Sequence, residues 1–195
     1  MLIAITGGIG VGKSIIIDEL KKLGANTIKT DEINNELLSQ PHYIKLINEE
    51  FPGIVENGQI NKLKLKELIF NDESMRLKLN GIAHPLIIQQ IIKESNKFDL
   101  LFVEIPLLYE SNAKDIFDQI WFVKSGYEDR LSRVMKRDGL SSSFTSRIIL
   151  AQAEEDNCEH IADYIINNDK DITHIKSLIK ELWDKLSKNN TANSQ

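Results

Sequence analysis

An α/β fold on a parallel sheet is predicted by three features of the sequence. Apolar runs of strand length alternate with helix-length segments, the pattern of strands joined by crossover helices. The runs LIAIT (2–6), DLLFVEI (99–105) and QIWFV (119–123) are apolar almost without interruption, as strands covered on both faces must be. Between the first run and the helical pattern after it lies a glycine-rich turn. With 195 residues, 42% of them hydrophobic, the chain suffices for one compact domain with a sizeable core.

The elements follow in order. Strands are expected at 2–6, 26–29 (NTIK, weak), 99–105, 119–123 and 163–167 (DYIIN). Ile15, Ile16, Leu20 and Leu23 recur at helical spacing over 12–23, and Gly24 is placed to stop that helix. About seventy residues from Asp31 read as helices at 31–39, 42–50, 61–70 and 74–96, punctuated by Pro41, FPG (51–53) and NG (57–58). Gly81 and Pro85 are expected to break the last of them. So long a helical excursion between two strands suggests a subdomain that covers a substrate. A second excursion, 127–157, carries Arg130, Arg133, Arg137 and Arg147. The final helix, 171–187, is amphipathic, and the tail KNNTANSQ (188–195) is expected to be disordered.

Charge and cysteine content limit the function. The 29 acidic against 24 basic residues leave a net charge of -5, which offers no overall footprint for nucleic acid. The single cysteine, Cys158, rules out an internal disulfide framework and fits a reducing compartment. No apolar run is long enough to span a bilayer, and the N-terminal run lacks the features of a signal peptide. A soluble, cytoplasmic protein is expected.

GGIGVGKS (7–14) matches G-x-x-x-x-G-K-[ST] in full. Glycines at 7, 8, 10 and 12 let the backbone bend so that successive N–H groups face phosphate oxygens. The following helix adds its positive dipole end. Lys13 supplies a full charge to the β- and γ-phosphates, and the Ser14 hydroxyl can ligate Mg²⁺. A chance lysine in a structural glycine turn is the competing explanation, and the strand–loop–helix context speaks against it. Glu104, ending its strand, is the candidate to hold the magnesium through water. Its alternative is a carboxylate turned to solvent.

Asp31, following the second strand, could accept a proton from an attacking hydroxyl or orient it, or could cap the helix behind it. Arg133 and Arg137 share a helical face and Arg147 opens a turn on the next helix. Arginine forks suit the charge of a transferring phosphoryl group, although many helices carry a merely solvated basic face.

Together these residues resemble the dephospho-coenzyme A kinase family, from residue 1 to about 185. The matching pieces are ITGGIGVGKS (5–14), LGA (23–25) followed by Asp31, LKLKELIF (63–70), HPLI (84–87) and PLLYE (106–110). They continue with R-x-x-x-R-D-G (133–139), R-x-x-x-A-Q (147–152) and ADYIINN (162–168). The resemblance implies a P-loop kinase of three layers with a five-stranded parallel sheet in the order 2-3-1-4-5. It implies a single domain over 1–187, with its core at 1–30, 99–126 and 158–187, a helical acceptor-binding region at 31–98 and a lid at 127–157. ATP would phosphorylate the ribose 3′-hydroxyl of dephospho-coenzyme A, with Mg²⁺ as cofactor. Asp31, Lys13 and Arg137 would be catalytic. Gly8, Gly10, Val11, Gly12, Lys13, Ser14 and Ile15 would bind ATP, with Arg133, Arg137 and Arg147 closing on its phosphates and Asn167 near adenine. Thr6, Asp31, Lys62, His84, Pro106 and Leu107 would contact the acceptor, and Ser14 and Glu104 the metal. The expected partners are the two substrates alone, with no nucleic acid or membrane, and a monomer or weak homo-oligomer.

Four positions depart from the family's usual pattern. Ile15 replaces Thr, Lys29 replaces the first Asp of D-x-D, Glu104 replaces Asp and Lys62 replaces Arg. Two other functions compete. A nucleoside monophosphate kinase would need arginines for an acceptor phosphate, but Arg76 is the only arginine between 31 and 98. A nucleotide-operated switch would place N-K-x-D after a strand, whereas Asn96-Lys97-Phe98-Asp99 precedes one, and no D-x-x-G occurs.

Overall fold

The computed structural model describes residues 1–106, 108–152, 158–169 and 171–192, without the side chains of 188–192. The chain divides into two compact units, Met1–Lys29 with Glu94–Gln195, and Thr30–Lys93.

The first unit is built on a parallel sheet of β1 (Leu2–Thr6), β2 (Asn26–Lys29), β5 (Leu101–Glu104), β6 (Gln119–Lys124) and β7 (Tyr164–Asn167), in the spatial order β2-β5-β1-β6-β7. The labels β3 (Val55–Glu56) and β4 (Gln59–Ile60) belong to a separate hairpin. Counted without them, the sheet runs 2-3-1-4-5. The three strands with near-continuous apolarity are the central ones, and the weak NTIK strand lies on an edge, where one side needs no cover. Register aligns Ile3 with Phe102, Ile5 with Trp121 and Val123 with Ile166. These side chains share one core with Ile16, Ile17 and Leu20 of α1 (Lys13–Lys22) and Ile175, Ile179 and Leu182 of α9 (Ile172–Ala192). Burying each such side chain contributes roughly 1.5–3 kcal/mol. The Phe102 and Trp121 rings meet edge-on at 5.4 Å.

Gly24 stops α1 as expected. It takes φ 89°; Ala25 N–H donates to the Leu20 carbonyl, the six-to-one bond of a Schellman end, and Gly24 N–H donates to the Lys21 carbonyl, the five-to-two bond. The last helix runs on to Ala192, five residues beyond the expected end at 187, so 188–192 are helical rather than disordered. Two further helices, α7 (Tyr127–Asp138) and α8 (Ser142–Ala151), pack together within the second excursion, and residues 153–157 lie outside the described set.

The second unit holds α2 (Thr30–Leu37), α3 (Pro41–Glu50), the β3–β4 hairpin, α4 (Lys62–Asn71) and most of α5 (Glu73–Ser95). Two features differ from expectation. The NG pair turns a hairpin, with Asn57 and Gly58 at φ 50° and 75°, where only a break between helices is anticipated. Helix α5 continues through Pro85 for 23 residues. A helical proline ring collides with the carbonyl four residues back, which here belongs to Gly81, a residue whose missing side chain lets the backbone yield.

Candidate active site

The central strand β1 runs directly into the glycine-rich loop. Gly7 has φ 138°, and a Cβ there would collide with the Val123 carbonyl on β6, so no other residue fits. Gly10 and Gly12 take φ 79° and 95°. Helix α1 starts at Lys13 with Gly12 as its cap, and no side-chain oxygen caps it, which leaves its N-terminal end to an anion. Lys13 is buried and curls back over the loop, its Nζ donating to Gly7 O at 2.7 Å and Gly8 O at 3.1 Å. An ammonium so placed faces any anion that the loop takes up.

The loop is braced from outside by α7, α8 and the end of β7. Gln152 Oε1 accepts from Ile9 N–H at 2.8 Å, and Arg130 Nε donates to Ile9 O at 3.0 Å. Arg133 donates through Nη1 to Gly10 O and Val11 O, both at 3.3 Å, and to Ser125 Oγ at 3.1 Å, while its Nη2 donates to Asn168 O at 2.8 Å. Asn168, itself buried, donates from Nδ2 to Val11 O at 2.7 Å. A carbonyl points away from its own peptide plane's N–H. Side chains that grip these carbonyls therefore leave the N–H side to a ligand.

Ser14, exposed in the first turn of α1, and Glu104, half-buried at the end of β5, offer oxygen donors at this end of the sheet. One hydroxyl and one carboxylate fit Mg²⁺, which takes most of its ligands from phosphates and water. The register aligns Glu104 with Ile5 of β1 and with Lys29 of β2, and Lys29 Nζ lies 3.7 Å from Glu104 Oε2.

The family model for dephospho-CoA kinase matches residues 1–174. The chain belongs to the dephospho-CoA kinase family. A dephospho-CoA kinase of Carboxydothermus hydrogenoformans is 34% identical over 192 residues, covering 94% of this chain and 93% of the relative. Among solved structures, one from Thermus thermophilus matches at a TM-score of 0.81 and 26% identity, over 95% of this chain and 97% of that one. The dephospho-CoA kinase of Campylobacter jejuni matches at 0.72 and 25%, over 97% and 98%. The fold is that of a P-loop kinase.

Against this kinase frame, the expected ATP-binding residues divide. Gly8, Gly10, Val11, Gly12, Lys13, Ser14 and Ile15 form one loop and helix start. Arg133, expected on the phosphates, is engaged with the loop's carbonyls instead. Arg137 is exposed and forms a fork with Asp138, at 2.7 and 2.8 Å. That hydrogen bond holds the Asp138 carboxyl below the usual carboxylate range and the guanidinium above its ordinary value. Arg147 is exposed, its guanidinium 5.4 Å from the centre of the Phe144 ring. Asn167 is exposed at the end of β7, and its buried neighbour Asn168 is the one that reaches the loop.

The expected acceptor residues are spread over both units. In the first, Thr6 is fully buried at the end of β1 and Pro106 is half-buried, while Leu107 lies outside the described residues. In the second, Asp31 is exposed inside the first turn of α2, which starts at Thr30, so it does not occupy the cap position. Lys62 opens α4 and borders a groove of about 620 Å³ between α2, α3 and the hairpin, and His84 is half-buried in α5. The work of Arg130 and Gln152 at the loop is not foreseen from the sequence: Arg130 is one lid arginine among four and Gln152 the end of the R-x-x-x-A-Q motif, whereas the contacts span 121 and 143 residues.

Proposed function

We propose that this protein transfers the γ-phosphoryl group of ATP to the ribose 3′-hydroxyl of dephospho-coenzyme A, giving coenzyme A and ADP. The observation that carries this reading is a complete phosphate cradle, with Lys13 curled over it, in a chain of the dephospho-CoA kinase family.

The loop N–H groups and the start of α1 hold the triphosphate, and Lys13 exchanges its carbonyl partners for phosphate oxygens. Asp31 aligns the acceptor hydroxyl and takes its proton as the new P–O bond forms and the bond to the β-phosphate oxygen breaks. Arg137 and Arg147 supply charge from the lid, Arg137 after leaving Asp138. Ser14 and, through water, Glu104 would hold Mg²⁺, which when bound neutralises charge on the phosphates. Thr6, Lys62, His84, Pro106 and Leu107 are assigned to the acceptor, and Asn167 with Asn168 to the adenine side. Positioning and electrostatics supply most of the rate, since phosphoryl transfer needs little covalent help.

No helix among the described residues is long and apolar enough to cross a membrane. A cytoplasmic enzyme acting on these two substrates, as a monomer or weak homo-oligomer and without nucleic acid or membrane partners, is in keeping with the charge balance. The test is ADP release from Mg·ATP with dephospho-coenzyme A, AMP, UMP, dTMP or no acceptor, with product masses recorded. Only dephospho-coenzyme A should gain one phosphoryl group. Transfer to a monophosphate, or release indifferent to acceptor, would overturn the assignment.

A further inference from the structure

Arg130 is 7% exposed, and its guanidinium lies against the outside of the phosphate loop. With Gln152 it takes hold of the residue Ile9 at both backbone polar groups, one at the N–H and the other at the carbonyl. Two loop glycines meet the same residue. A Cβ on Gly8 would collide with Arg130 Nη2, and one on Gly10 would come within 2.8 Å of the Arg130 carbonyl and 2.9 Å of Val134 Cγ2. Gly8 does not require a positive φ. Its lack of a side chain is therefore explained by the guanidinium beside it rather than by backbone conformation.

We propose that Arg130 is a positioning residue for nucleotide binding. It fixes the Ile9–Gly10 peptide at its carbonyl while Gln152 fixes the preceding Gly8–Ile9 peptide at its N–H, so that α7 and the end of α8 set the curvature with which the loop receives phosphates. Gly8 is glycine in order to seat the guanidinium. Arg130 touches neither substrate; it acts through the loop. The inference rests on the cradle's being a nucleotide site and is independent of which acceptor is used.

The experiment measures ADP binding by titration calorimetry, without acceptor, together with melting temperature and the steady-state KM for ATP. A charge-assisted hydrogen bond to a half-buried carbonyl is lost in Arg130→Met, which keeps the aliphatic stem. ADP affinity should fall roughly tenfold or more, and KM for ATP should rise in proportion. Gln152→Leu, which acts from the other side of Ile9, should weaken ADP in the same direction and gives a second reading if Arg130→Met does not fold. Gly8→Ala in the parent should also weaken ADP, but in the Arg130→Met background it should add little, since the colliding atom is gone. Gly10→Ala should cost as much in that background as in the parent, because there the obstacles are the backbone of residue 130 and the Val134 side chain, which both remain. ADP affinity unchanged in Arg130→Met or, failing its folding, in Gln152→Leu would overturn the proposal. So would a Gly8→Ala penalty that persists without the guanidinium. A parent protein that bound no ADP would overturn the nucleotide reading and this one with it, whereas a parent that bound ADP but phosphorylated another acceptor would leave it standing.

Discussion

Lys29 Nζ stands 3.7 Å from Glu104 Oε2 across the paired ends of β2 and β5. Both are positions where the family resemblance leads one to expect an aspartate, and the chain has a base at one and the longer glutamate at the other. The two departures meet each other. The ammonium partly neutralises the carboxylate expected to hold magnesium through water, and the additional methylene gives that carboxylate reach.

Replacing Lys29 by Met should therefore lower the Mg²⁺ concentration that half-saturates activity, by severalfold, because a cation competing for Glu104 is removed. Glu104→Gln should raise it by about tenfold. Mn²⁺ binding to the ADP complex, followed by electron paramagnetic resonance, gives the same comparison without turnover. An unchanged metal requirement in both variants would separate Glu104 from the metal.

Lys13→Met should reduce kcat/KM for ATP by about 10²–10³, whatever the acceptor, as expected for the loss of one preorganised charge on the transferring group. Methionine keeps the aliphatic stem that Lys13 buries, so the melting temperature should move little.

Asp31→Asn should lower kcat by about 10²–10⁴ with ATP affinity within about twofold. The side chain is exposed in the first turn of α2, so the loss of one helix-end charge costs about 0.3–1 kcal/mol of stability at most. Turnover retained with stability lost would reduce Asp31 to a helix-end charge.

Asp171 caps α9. Its Oδ1 accepts from Thr173 N–H at 2.6 Å and His174 N–H at 3.0 Å, and the His174 bond, then the Thr173 bond, holds the carboxyl below its ordinary value. A carboxyl lowered on folding stabilises the fold above its unfolded pKa, and that contribution disappears as pH falls through the folded value. Thermal melts from pH 7 down to pH 3 should show Asp171→Asn losing less stability on acidification than the parent. At pH 7 Asp171→Ala should melt roughly 2–4 °C lower.

The parts legible in the sequence are those whose cause is local. The apolar runs of β1, β5 and β6 and the Schellman glycine at 24 each follow from a few neighbouring residues. The NG pair at 57–58 carried a readable hairpin signal, which two-residue strands make easy to overlook. Pro85 inside α5 is legible only when Gly81 is considered with it. The grip of Arg130, Arg133 and Asn168 on loop carbonyls has no local cause, since it depends on the sheet order that sets β1 between β5 and β6 and puts β7 beside β6. For the same reason the choice between Asn167 and Asn168 is a matter of strand pleat at one residue's resolution.

The pinning of residues 9–11 by side chains at 130, 133, 152 and 168 also has a consequence in time. The phosphate loop leaves the ribosome well before the residues that shape it, which come 121 to 157 positions later. At roughly 5–20 residues per second, that interval is on the order of six to thirty seconds. Through that interval a nascent chain carries the whole GGIGVGKS motif without the means to form a rigid nucleotide site, and the capacity to capture ATP arrives only with β7.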